Sequence, residues 1–286
     1  MGLTVALLVR EGADDTSLRY RAASLAAGVD EFHILALRLP QPSPSVSEAP
    51  RPPGACRRVT GKLRGLYATH IHYPPSYYDI EGPIDAARRR FLPVAPPLAG
   101  YPNFAIVEAS KVNAVEVARA VKARSVDVLA PMIGVIRPIL LEAPRLGCLN
   151  AHHGWLPEIR GMWSTVWAIA EDRADWIGMS VHWMDAGLDT GPILARARPA
   201  FSIHDGYDTL YVRLDLLAAE MIGEVLAALK RSERVTIPNA SDRGVYRSRP
   251  TFRTHLRFAR RQRSFFLRHG QRNVFPLESS PVSWSK

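Results

Sequence analysis

Cysteine is nearly absent from this chain: Cys56 and Cys148 are the only two in 286 residues. Two thiols so far apart give neither a disulfide framework nor a cysteine zinc site, and no metal is expected. Long apolar runs are missing too. None approaches the roughly 18 residues that cross a bilayer, so no membrane partner is expected. The amino terminus, Met-Gly-Leu-Thr before strand-like residues, has no basic region and no small-residue cleavage site. A signal peptide is therefore not expected, and the cytoplasm is the default location. No Gly-x-Gly-x-x-Gly turn follows the first strand, which removes the signature of a dinucleotide site. Acidic residues are scarce in one place only. Residues 231–286 hold 13 basic and 3 acidic residues, which is the whole of the +10 formal charge, while residues 1–230 balance.

What remains is an ordinary globular composition, 47% hydrophobic and 22% charged, in a chain long enough to bury a substantial core. Leu3 to Val9 is a nearly continuous apolar run, as expected of a central parallel strand buried on both faces. A helix over Ser17–Ala27 and a strand over His33–Leu37 complete a β-α-β opening. That opening predicts an α/β fold with a doubly wound, mostly parallel sheet. Residues 39–57 hold six prolines and read as a loop. Residues 73–103 are again rich in Pro and Tyr, interrupted by a short helix around Ile84–Phe91. His70 and His72 share one side of a strand-like segment, but satisfied or surface histidines outweigh a metal pair there. The pattern then predicts a strand Phe104–Val107, a helix Ala114–Ala123 capped by Asn113, and a strand Val126–Ala130. The loop Met132-Ile133-Gly134 lies at the carboxyl end of that strand, where open α/β sheets bind ligands. A helix over Trp163–Ala170, a strand over Ala195–Ala200 and a long amphipathic helix over Tyr207–Lys230 follow.

Two stretches carry chemistry. Cys148-Leu149-Asn150-Ala151-His152-His153-Gly154-Trp155-Leu156-Pro157 is a short strand running into a polar turn. Asn150 and His152 are two apart and point the same way on an extended segment. An amide and an imidazole there present a donor and a titratable group to one reacting carbonyl. Ile177 to Leu194 is a second strand, a loop with Asp185, Gly187, Asp189 and Gly191, and a third strand. The glycines flanking Asp189 permit positive φ. A carboxylate at Asp189 would orient His152 and raise its pKa once the fold brings the loops together.

Asn150, His152, Leu156-Pro157, Arg160-Gly161, Gly178, His182 and Asp189-Thr190-Gly191 occur in the order found in the folate-dependent formyltransferases. The chain therefore resembles that family, which includes methionyl-tRNA formyltransferase, glycinamide ribonucleotide transformylase and the sugar N-formyltransferases. The resemblance implies a Rossmann-like catalytic domain over 1–230, a short basic C-terminal extension over 231–286, and a catalytic triad of Asn150, His152 and Asp189. It implies 10-formyltetrahydrofolate as co-substrate, with Met132, Ile133, Gly134, Asp185 and Gly187 toward the folate and His153, Trp155 and His182 lining the substrate side. Most members carry Pro-Ser where this chain has His153-Gly154, usually Leu in place of Trp155, and often Pro in place of Ser164. The acceptor side is thus reshaped.

The expected activity is formyl transfer to the amine of a small molecule, such as a nucleotide-linked amino sugar or a natural-product amine. Hydrolysis of 10-formyltetrahydrofolate is the alternative, and a non-catalytic RNA-binding protein on the same scaffold the more distant one. The tail reads as a helix over Phe252–Leu267 with Phe252, Leu256, Ala259 and Phe266 on one side. It is open to three readings: a docked helix with a solvated basic face, a surface facing a phosphorylated substrate, or an arm touching RNA or membrane. The chain lacks the long C-terminal barrel typical of methionyl-tRNA formyltransferases, so a nucleic-acid acceptor is not expected. A homo-oligomer stays possible.

Overall fold

The computed structural model describes residues 2–40, 81–233 and 236–274. His70, His72 and most of the proline-rich loop lie outside them. Seven strands make the main sheet: β1 (Thr4–Arg10), β2 (Glu31–Arg38), β3 (Phe104–Glu108), β4 (Val128–Pro131), β5 (Gly147–His152), β7 (Met179–Trp183) and β8 (Ile193–Ala197). A separate pair joins β6 (Ile159–Gly161) to β9 (Val245–Arg247) in parallel. The order in the main sheet is β3-β2-β1-β4-β5-β7-β8. Five strands run parallel, and β7 and β8 close that edge in antiparallel fashion. The mostly parallel, doubly wound sheet expected from the sequence is what forms.

β1 is central because five consecutive residues, Val5 to Val9, are buried, with cores on both faces. On one face lie α1 (Thr16–Ala26), α2 (Glu81–Phe91), α5 (Ser164–Glu171) and α6 (Tyr207–Lys230); on the other lie α3 (Val115–Ala123) and α4 (Pro138–Leu141). Asp15 caps α1 by accepting the Leu18 amide at 3.0 Å. Asn113 does not cap α3, contrary to expectation. Its side chain donates to Val135 O at 2.8 Å and accepts the Arg137 amide at 2.7 Å. It therefore fastens the loop beyond β4, the better use of an amide with both a donor and an acceptor to satisfy.

The basic tail is fastened to the body through β9 and through α7 (Phe252–His269). The buried side of α7 is Thr254, His255, Phe258, Phe265 and Phe266, whereas Ala259, expected there, faces solvent. Aromatic packing decides the rotation: Phe201 stacks on Phe265 at 6.3 Å and meets Phe266 edge-on at 5.8 Å, and Tyr207 meets Phe258 at 5.0 Å. Truncating the fully buried Phe265 to Ala is expected to cost about 3–5 kcal/mol. Urea unfolding monitored by tryptophan fluorescence measures it. Among the described residues, no helix is long and apolar enough to cross a membrane.

Candidate active site

The parallel-to-antiparallel switch positions the chemistry. In the β5–β7 register Asn150 faces His182 and His152 faces Ser180. The Asn150–His182 cross-strand pair brings Asn150 Nδ2 to 3.2 Å from His182 Nε2. His182 Nδ1 lies 2.8 Å from Trp183 O and must donate to it, so Nε2 carries the lone pair and accepts from the Asn150 amide. His182 thus decides which end of that amide is nitrogen. It is 1% exposed and sits behind Asn150 rather than lining the cavity, a correction to the substrate-side role expected for it.

The β7–β8 loop delivers Asp189. Its Oδ1 accepts from Asn150 Nδ2 at 3.4 Å, its Oδ2 accepts the Gly161 amide at 2.9 Å, and Oδ2 lies 3.6 Å from His152 Nδ1. Asp189 itself adopts the left-handed conformation, φ 55°, which Asp tolerates better than most residues. The flanking glycines serve close approach instead of positive φ. A Cβ on Gly191 would strike Trp183 O, and one on Gly187 would strike Thr190 Oγ1. Burial opposes the charge of Asp189, but His152 and the Gly161 amide outweigh it and hold the carboxyl well below the usual carboxylate range.

His152 departs from expectation. Burial, helped by the neighbouring His182 and His153, lowers its pKa despite Asp189, so the ring is neutral near pH 7 and not charged. Its Nε2 lies 3.2 Å from both Ile159 O and Ser164 Oγ. The anionic Asp189 favours the Nδ1–H tautomer, in which Ser164 donates to Nε2. Ser164 stands where the family often has Pro, and Gly154 leaves the room for this contact. A Cβ on Gly154 would come within 2.6 Å of His152 Nε2 and 3.1 Å of Ser164 Cβ. Gly154→Ala is therefore expected to displace the imidazole and cut turnover about a hundredfold, the scale of a misplaced reacting group. Steady-state rates beside an unchanged melting temperature check this.

Asn150, His152, His153, Asp189 and Met132 share one cavity of about 320 Å³. Ser164, marked in the sequence as a departure on the acceptor side, also lines it, as do residues the sequence did not single out: Trp163 before α5, Ser17 and Arg21 of α1, Arg88 of α2, and Tyr211 and Asp215 of α6. One signal was present for Asp215. It stands four residues after Tyr211, beside Leu214 in the apolar stripe of α6, and an acid on a buried helical face needs partners. Trp163 does not begin the helix as expected; it precedes it in a left-handed conformation, φ 60°.

Other expected site residues lie elsewhere. Trp155 is held outside this cavity, with the Arg196 and Arg198 guanidiniums 4.6 and 4.0 Å from its ring centre. The β7–β8 hairpin places those cations there, so the indole is a cation–π platform. Asp185 accepts the Gly187 amide at 3.1 Å and the Thr190 hydroxyl at 2.6 Å, bracing the Asp189 loop. Neither Asp185 nor Gly187 lines the cavity. Ile133 packs into the core, while Gly134, φ 55°, has open space at its Cβ direction. Met132 and Val135 are exposed, so the loop offers an apolar rim at the strand ends. Cys148 is buried, and burial pushes its thiol up to about 12, leaving it no nucleophilic part.

Residues 86–226 match the Formyl transferase family. The chain carries a formyltransferase domain. The resemblance carried by Asn150, His152 and Asp189-Thr190-Gly191 is therefore sound. The methionyl-tRNA formyltransferase of Microcystis aeruginosa is 36% identical over 112 residues, 39% of this chain and 34% of that protein. The chain thus spans about a third of the length of the curated relatives it matches. A sugar N-formyltransferase of Shewanella sp. superposes with a TM-score of 0.51 at 14% identity, over 90% of this chain and 87% of that one. The sugar 3N-formyltransferase WlaRD, determined in the presence of dTDP and 5-N-formyl-THF, gives 0.50 at 11% identity over 90% and 78%. These likenesses establish the formyltransferase fold.

Proposed function

We propose that this chain transfers a formyl group from 10-formyltetrahydrofolate to the amine of a small-molecule acceptor. The observation that carries the reading is the convergence of Asn150, His152 and Asp189, from two distant stretches, on one cavity. The folate relation of WlaRD and the exposed Met132–Val135 rim beside the triad support formyl-folate as donor. The acceptor nitrogen attacks the formyl carbon, and the carbonyl pair moves onto oxygen. Asn150 Nδ2 is the donor for that oxyanion: one hydrogen stays on His182, and the other leaves its long 3.4 Å contact with Asp189 Oδ1 for the developing charge. Neutral His152 takes a proton as the intermediate collapses, and the anionic Asp189 balances the imidazolium that forms. Proton transfer to folate nitrogen then releases tetrahydrofolate.

The test is tetrahydrofolate release from 10-formyltetrahydrofolate with and without a panel of amines. Release that needs one amine supports transfer. Amine-independent release means hydrolysis, and absence of folate binding removes the donor assignment.

A second acceptor class is favoured by one observation. The exposed Arg253, Arg257, Arg260 and Arg263 follow one another along α7, a spacing suited to phosphates, and the curated relatives are named for methionyl-tRNA. An aminoacyl-tRNA acceptor would give binding that weakens steeply with salt. Retention measured between low and moderate salt separates it from a small amine.

A further inference from the structure

Two His–Asp pairs face the same cavity from consecutive residues, and only one of them belongs to the triad. His152 turns to Asp189, while His153 turns the opposite way to Asp215, with Nε2 and Oδ1 3.3 Å apart. Asp215 is 5% exposed at its side chain and also accepts from Arg88 Nε at 2.8 Å. Burial opposes its charge, but His153 and Arg88 together keep the carboxyl below its ordinary range. The edge of Tyr211 against the His153 ring, centroids 4.4 Å apart, fixes the plane of that ring. An anionic Asp215 at Nε2 demands the proton there, so Nδ1 carries the lone pair.

The two histidines differ in what that leaves. At His152, Nδ1–H faces Asp189 and Nε2 accepts from the Ser164 hydroxyl, with the Ile159 carbonyl alongside to receive a proton taken up there. His153 has one nitrogen without a hydrogen bond to any described residue, in the wall of the cavity that holds Asn150. An acceptor amine reaches that cavity as an ammonium ion at neutral pH and has no lone pair until it loses a proton. Resting on the formyl-transfer reading, we propose that His153 is the general base for the acceptor, oriented by Asp215, and so a second catalytic histidine beside the triad.

The step balances. His153 Nδ1 takes one proton from the ammonium, and the freed nitrogen pair forms the C–N bond to the formyl carbon. The carbonyl pair moves to oxygen and returns as the bond to folate nitrogen breaks. That nitrogen receives the second proton of the attacking amine, and His153 gives its own proton to water. The products are a formamide, tetrahydrofolate and one proton. The charged and titratable groups facing His153 are Asp215 and Tyr211 of α6, Arg88 of α2, Arg21 of α1 and His152 of β5. Tyr211 is driven upward by burial and by Asp215 and stays neutral.

The experiment compares methylamine, protonated at neutral pH, with methoxyamine, which is not. Formamide production by the full chain is measured for the wild type, His153→Gln and His153→Asn across the neutral pH range. The variants are expected to lose about a hundredfold in kcat/KM with methylamine. Their rates should rise tenfold per pH unit as solvent frees the amine, while the loss with methoxyamine stays within a few-fold. Added imidazole should restore part of the methylamine rate. Equal losses with both amines would overturn the proposal, as a purely structural role predicts, and so would unchanged rates. Unaltered folate binding shows that the variants fold. Wild type that forms neither formamide but releases formate from 10-formyltetrahydrofolate contradicts the transfer reading on which this rests.

Discussion

Asp189→Asn is expected to lower the rate of formyl transfer by about 10³–10⁴-fold, the scale seen when a carboxylate that orients a catalytic imidazole is neutralised. The carboxylate is held by three groups: Asn150 Nδ2, the Gly161 amide and His152. Asparagine keeps the shape but replaces one acceptor oxygen with an NH₂. That group must face either Asn150 Nδ2 or the Gly161 N–H, donor against donor, and the loop turns or the amide withdraws. The negative charge that would balance an imidazolium at His152 is lost in either case. Folate binding should persist, since Asp189 closes the acceptor end and not the Met132–Val135 rim. Single-turnover rates together with folate titration check both halves.

Asn150→Ala is the second large effect, about 10²–10³-fold, or roughly 2.7–4 kcal/mol for one lost oxyanion donor. Its loss should fall on kcat, because the donor matters most when the charge has developed. His182→Gln acts only through Asn150 and should cost far less, about tenfold. In the double variant Asn150→Ala, His182→Gln, the second change should add almost nothing, as expected of residues that act as a unit. Additive losses would mean that His182 has a role of its own.

Much of this arrangement was legible in the sequence because short-range pattern carried it. The stripe of Leu210, Leu214, Leu217, Met221 and Val225 marked α6 over Tyr207–Lys230, the span observed, although Leu217 is only partly buried. The two-residue spacing of Asn150 and His152 placed both side chains toward Asp189. Long-range packing was not legible. The face of α7 turns on Phe201 and Tyr207, some fifty residues away in sequence, so Phe266 was placed on its buried side but Ala259 was wrongly added to it. His182 was assigned to the wall by the resemblance, because the order of a motif does not record which side chain lies behind its neighbour. The sign of the His152 shift likewise needed burial, which no motif records, and that burial overrides Asp189. Asp215 meets His153 across 62 positions, and only the packing of α6 on the sheet joins them.

The most direct test follows the formyl carbon itself. The donor is prepared with that carbon isotopically labelled, mixed with the chain and the amine panel, and the label traced by NMR in the wild type and Asp189→Asn. The account predicts label in a formamide for the wild type, growing only when an amine is present, and almost none with the variant over the same period. Label appearing as formate at the same rate with or without amine, or a formamide formed equally well by the variant, would contradict it.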